Sequence, residues 1–202
     1  MRTVFTLCLL NLLAFTASAH KERWDEIREG WSPLMRAIYY GQTSKYLKLI
    51  DEGADVNFVS STSESNCHLT ALEVAIFKNN EVAVRILLET NKISKPETYL
   101  MAAAGQKSAL NVERLLKYGA NPSDTLANGY SVLMMAASFG SFDVFETLLK
   151  HGAKTDQARK IDGMTALMLA AFNGQAKKVK LLLDYGANKT LKIETAVQHW
   201  IM

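Results

Sequence analysis

The sequence predicts an all-α solenoid of about five helix-turn-helix units, joined by short β-turn fingers and closed by a truncated C-terminal unit. Three observations predict it. The stretch TALMLAAFNG (165–174) repeats SVLMMAASFG (131–140) at an interval of thirty-four residues. Leucines in the same register recur at Leu34, Leu72, Leu100, Leu133 and Leu167, separated by 38, 28, 33 and 34 residues. Fifteen residues after each comes Leu49, Leu87, Leu115, Leu148 and Leu182, and nineteen after comes Gly53, Asn91, Gly119, Gly152 and Gly186. Five segments sharing one internal ruler define a repeat architecture, in which no unit buries its apolar face alone and stacking completes the core.

The elements are justified in chain order. Residues 1–19, MRTVFTLCLLNLLAFTASA, carry a basic residue at position 2, an apolar run and a final Ala17-Ser18-Ala19. That pattern fits a cleaved secretory signal with His20 as the new amino terminus. The run is shorter than the roughly 20 apolar residues that cross a bilayer. No cysteine stands at the cleavage point to take a lipid anchor. Loss of Arg2 takes the formal charge from +3 to +2, too small to argue for nucleic acid. Residues 20–30 fit an N-terminal capping helix with Trp24 and Ile27 turned inward and charges outward. The five units occupy 31–193, and 194–202 restart the motif with Thr195-Ala196-Val197 before stopping, as a capping piece would.

The units read SPLMRA (32–37) with DEGADVN (51–57), TALEVA (70–75), TYLMAA (98–103) with YGAN (118–121), SVLMMA (131–136) with HGAK (151–154), and TALMLA (165–170) with YGAN (185–188). On these residues the chain resembles the ankyrin-repeat family, whose units run turn, T-P-L-H-x-A on a first helix, a leucine pair on a second helix, and a Gly-Ala turn. The physical reading agrees. Thr or Ser before each first helix can cap free N–H groups, and small alanines let paired helices approach closely. Glycine after the second helix supplies a left-handed C′ position. The pairs Leu87-Leu88, Leu115-Leu116, Leu148-Leu149 and Leu182-Leu183 are expected to face neighbouring units.

Departures from the family pattern are informative. The 38-residue spacing places extra residues in the loop Phe58 to His68, and the 28-residue spacing shortens the connection Asn91 to Glu97. The usual histidine is replaced by Met35, Glu73, Met101, Met134 and Met168. Methionines there read as helix packing, since Met fills irregular core gaps.

No catalytic constellation is expected. His20, His68, His151 and His199 fall in different units or termini, and no paired C-x-x-C, H-E-x-x-H, G-x-S-x-G or P-loop spacing occurs. After signal cleavage Cys67 is left alone, either a buried thiol or a reactive one. Cys67-His68 are adjacent in a loop, which lacks the geometry of a base set against a nucleophile. His20 could chelate copper through its amine and ring, but no second arm is evident. The expected chain is therefore not an enzyme and takes no cofactor or metal. Asn188-Lys189-Thr190 fits a glycosylation sequon.

The resemblance implies a partner protein lying along the concave face formed by turn tips and the exposed side of each first helix. In register, that side holds Tyr39 and Tyr40, Phe77 and Lys78, Gly105 and Gln106, Ser138 and Phe139, and Phe172 and Asn173. The residue before each T-P-L position adds Trp31, Leu69, Tyr130 and Met164. Aromatics gathered on one face suit a protein interface, because binding energy concentrates in large aromatic anchors. The competing reading tucks some of these rings against the adjacent unit. Lys154, Arg159, Lys160, Lys177, Lys178, Lys180, Lys189 and Lys192 make the last third basic, for which a solvated surface is the ordinary explanation. The expected protein is an exported binding scaffold, periplasmic first and secreted next, with no nucleic-acid partner and no membrane insertion after cleavage. Envelope stress protection is the role the resemblance suggests, with toxin immunity or effector binding as alternatives and a metal or redox protein using Cys67, His68 or His20 as the competing class, and self-association has no sequence feature behind it.

Overall fold

The computed structural model describes residues 30–60, 69–90, 93, 97–106 and 108–191. The segments expected to form the signal, most of the N-terminal cap and the C-terminal cap lie outside these residues, as do Cys67, His68, Asn91 and most of the two irregular connections. The chain divides into two compact units, residues 1–95 and 96–202. Ten short helices among the described residues form five pairs, so the chain is an all-α repeat solenoid. No described helix is long and apolar enough to cross a membrane.

In the first unit, α1 (Pro33–Tyr39) pairs with α2 (Thr43–Asp51), and α3 (Ala71–Phe77) pairs with α4 (Glu81–Glu89). The inner helices α1 and α3 pack side by side. Both are two turns long, and their starts are written locally. Ser32 Oγ accepts from Met35 N at 3.3 Å, and Pro33 occupies a first-turn position where no intrahelical N–H bond is lost. Thr70 and Glu73 form a reciprocal capping box: Glu73 N donates to Thr70 Oγ1 at 3.3 Å, and Thr70 N to Glu73 Oε2 at 2.6 Å. Leu34, Met35, Ile38, Leu72, Ile76, Leu87 and Tyr46 fill the core. Each such aliphatic side chain stabilises by about 1.5–3 kcal/mol when removed from water. The long insert leaves and re-enters through one pinned point, where buried Ser60 gives its N–H to Leu69 O at 2.8 Å and its Oγ accepts from Leu69 N at 2.9 Å.

In the second unit, α5 (Glu97–Gly105), α7 (Val132–Ser138) and α9 (Ala166–Phe172) make an inner row, each packed on the next. The outer row is α6 (Ala109–Lys117), α8 (Phe142–Lys150) and α10 (Ala176–Asp184). Ser131 and Thr165 cap α7 and α9, accepting from Met134 N at 3.2 Å and Met168 N at 3.4 Å. Small side chains set the row spacing: Ala102, Ala103, Ala104, Ala136 and Ala137 are fully buried. Gly140 extends this, for a Cβ there would meet Ala104 O at 2.6 Å and Ala136 Cα at 2.9 Å. After α6 and α10 the chain turns at Gly119 (φ +91°) and Gly186 (φ +81°), left-handed positions that glycine adopts without a Cβ clash.

The fingers between α6 and α7 and between α8 and α9 each close with one antiparallel bridge, Thr125 to Ser131 and Ala158 to Thr165. Successive fingers are stitched at repeat spacing. Lys160 N donates to Asn128 O at 2.8 Å, Lys154 N to Ser123 Oγ at 3.0 Å, and Asn188 N to Asp156 Oδ1 at 2.8 Å.

Two sequence expectations are corrected here. Leu183 is exposed, unlike the second leucine of the three preceding pairs, because α10 has no following helix packed on it among the described residues. Lys178 is not on a solvated surface. It is 5% exposed, and its ammonium donates to Ala136 O at 2.7 Å and Gly140 O at 2.9 Å, carbonyls at and just past the C-terminal end of α7, the first of which also accepts from Gly140 N at 3.1 Å. A cation there meets the negative end of the helix dipole. Burial pushes its pKa down, and the Phe145 ring lies 5.4 Å from the nitrogen.

Candidate protein-binding surfaces

In the first unit, the inner helices bring four of the sequence-selected residues together. Trp31 meets Tyr39 edge-on at 5.4 Å between ring centroids, and Tyr39 meets Tyr40 edge-on at 5.2 Å. Lys78, just past α3, places its ammonium 4.4 Å from the Tyr39 ring centroid. Edge-to-face rings and a cation over a ring face are the favourable arrangements of the aromatic quadrupole. The outcome is a graded cluster: Trp31 at the bottom, Tyr39 half-buried, and Tyr40 58% exposed beside exposed Lys78.

The second unit uses the same relation with different chemistry. Tyr130 stands where Trp31 does in its repeat, directly before the N-cap, and Ser138 stands where Tyr39 does. Their hydroxyls hydrogen-bond at 2.9 Å. A two-turn helix thus brings the residue before its cap over the residue at its end, eight positions along. Burial pushes the Tyr130 pKa up, against the opposing effects of the Ser138 hydroxyl and the Arg159 charge. On the neighbouring finger, Arg159 Nε donates to Asp162 Oδ1 at 2.8 Å and a second guanidinium nitrogen pairs with Oδ2. Asp162 also accepts from Met164 N at 3.1 Å, and Arg159 holds its carboxyl below the ordinary carboxylate range.

The remaining selected residues sort by exposure. Phe139, Phe172 and Asn173 are exposed, with Phe172 at 85%, while Phe77, Gln106, Tyr130 and Met164 are half-buried. Trp31 and Leu69 are corrections: at 4% and 2% exposure they belong to the core and have no free surface to offer. Tyr39 lies across Trp31, and Leu69 is drawn in by its two backbone bonds to Ser60. Sequence reasoning missed Ile161, 77% exposed on the second finger. Its signal was an isolated aliphatic residue between Lys160 and Asp162, in a turn that the leucine register does not index. His151 is exposed, and His20, His68 and His199 lie outside the described residues. Among the described residues, no group of three or more His, Cys, Asp or Glu side chains could hold a metal.

Comparison with known proteins agrees with this architecture. Residues 100–193 match the family described as Ankyrin repeats (3 copies). Over 117 residues the chain is 34% identical to the NF-kappa-B inhibitor delta of Mus musculus, covering 48% of this chain and 36% of that protein. It is 30% identical over 169 residues to the transient receptor potential cation channel subfamily A member 1 of Homo sapiens, covering 79% of this chain and 15% of the channel. Rabankyrin-5 of Homo sapiens matches at 28% over 163 residues, 80% of this chain and 12% of its own. The chain therefore spans about a third or less of these relatives. The chain carries ankyrin repeats and has ankyrin-repeat relatives. Such repeats generally mediate protein–protein interaction and are typically non-enzymatic modules.

Proposed function

We propose that this chain is a non-catalytic scaffold that is exported and binds another protein through the exposed aromatics at the ends of its inner helices. The observation that carries this reading is the placement of Tyr40, Phe139 and Phe172 at the ends of α1, α7 and α9, with their rings turned to solvent. Leaving large rings in water forgoes burial energy, and such rings become hot spots when a partner covers them. Export rests on the pattern of residues 1–19, a basic start, an apolar run and Ala17-Ser18-Ala19.

The test is a pull-down with the full chain, the variant Tyr40→Ala/Phe139→Ala/Phe172→Ala serving as control. A specific protein retained by the wild type and lost by the variant supports the reading; equal recovery removes the site assignment. Amino-terminal sequencing of the protein from its native host addresses export: a start at His20 supports it, and an intact Met1 start opposes it.

A further inference from the structure

We infer that Asn188 is an N-glycosylation site, which takes an oligosaccharide from a polyprenyl-pyrophosphate carrier once the chain is exported. This rests on the reading of the chain as exported. Asn188-Lys189-Thr190 is the one Asn-X-Ser/Thr triplet in the sequence without a central proline. It follows Gly186 and buried Ala187 in the turn after α10, and all three of its residues are exposed.

The turn leaves the reacting atom available. Asn188 Oδ1 accepts from Thr190 N at 2.9 Å and from Thr190 Oγ1 at 2.7 Å. These two donors fix which end of the amide is oxygen, and among the described residues Nδ2 donates no hydrogen bond. The backbone beneath is tied down, since Asn188 N donates to Asp156 Oδ1 at 2.8 Å. The same turn occurs two units earlier as Asn121-Pro122-Ser123, where Ser123 N donates to Asn121 Oδ1 at 3.0 Å. There a proline fills the middle, and Ser123 Oγ turns to the next unit, accepting from Lys154 N at 3.0 Å. At Asn188 the described residues hold no following turn, and the Thr190 hydroxyl turns back onto the amide.

In the transfer, Nδ2 attacks the anomeric carbon of the carrier-bound sugar. The nitrogen–carbon bond forms, the bond from that carbon to the pyrophosphate oxygen breaks, and the displaced Nδ2 proton passes to a base of the host transferase. The polyprenyl pyrophosphate leaves. The product is bulky and hydrated, so the folded chain can carry it only where nothing packs. Asn188 meets that condition. The nine residues of α10, about 14 Å of helix, also separate this turn from Phe172, so the glycan leaves the proposed partner contact open.

The test expresses the full chain, with its own residues 1–19, in a cultured eukaryotic secretory host and reads the intact mass, the first residue and the peptide map. The expected result is a chain starting at His20 with a mass excess that peptide-N-glycosidase removes, leaving Asp at position 188. Asn188→Gln and Thr190→Ala should each lose the excess, and Thr190→Ser should keep it. Circular dichroism and matching thermal midpoints verify that these exposed substitutions leave the fold intact. A chain starting at His20 without the excess would overturn the site and leave the export reading standing. An intact Met1 start without the excess would overturn both. An excess that survives Asn188→Gln would place the modification elsewhere and overturn the assignment.

Discussion

The Lys78 ammonium stands 4.4 Å from the centre of the Tyr39 ring, joining the end of α3 to the end of α1. An exposed contact of this kind stabilises by about 0.5–1 kcal/mol. A double-mutant cycle of Lys78→Ala and Tyr39→Ala should therefore give a coupling in that range by urea unfolding. A coupling near zero would mean that the ammonium is held by something other than the ring.

Glu73 makes the first unit sensitive to pH. Burial, opposed by the hydrogen bonds from Thr70, raises its pKa from 4.5 to about 7. The folded state thus holds the proton more tightly than the unfolded chain. The resulting stabilisation is fully present below pH 4.5 and fades as pH rises through about 7, a difference on the order of 3 kcal/mol. Wild type minus Glu73→Gln, measured by denaturant unfolding from pH 5 to pH 8, should fall with rising pH. A flat difference would show that Glu73 ionises at its ordinary value.

Gly140 should tolerate no side chain. The Cβ of Gly140→Ala would lie 2.6 Å from Ala104 O, a backbone atom that cannot swing aside. Overpacking of this kind costs about 1–3 kcal/mol. The unfolding midpoint should drop accordingly, and an unchanged midpoint would mean that the inner row can widen at no cost.

Lys178 bridges the last two described helix pairs through the carbonyls of Ala136 and Gly140. Lys178→Met keeps the apolar stem and removes both donors, so it should destabilise by about 1–3 kcal/mol. Its exposed neighbour is the control, since Lys177→Met should stay within about 0.5 kcal/mol. Equal effects at the two positions would deny the buried bonds a structural role.

What could be read from sequence was what is local. Ser32, Thr70, Ser131 and Thr165 each bond an N–H three residues on, so their caps were legible from spacing. Met35 and Met134 were legible as core for the same reason, since the register indexes them. Trp31 and Leu69 were misassigned because burial depends on what lies across them, Tyr39 in one case and Ser60 in the other. Lys178 could not be foreseen, for its acceptors lie 38 and 42 residues away and one belongs to a glycine. The aromatic cluster was half legible: its members were chosen by register, while the Lys78 contact with Tyr39 needed two helices brought together.

The central claim is that partners contact the ends of the inner helices, and site-specific photocrosslinking in the native host tests it most directly. A benzophenone side chain in place of Phe172, at the end of α9, is compared with one in place of Leu183, exposed on the outer helix α10. The account predicts a discrete protein adduct from position 172, weakened by Phe139→Ala and absent from position 183. Adducts from position 183 with none from position 172 would contradict it.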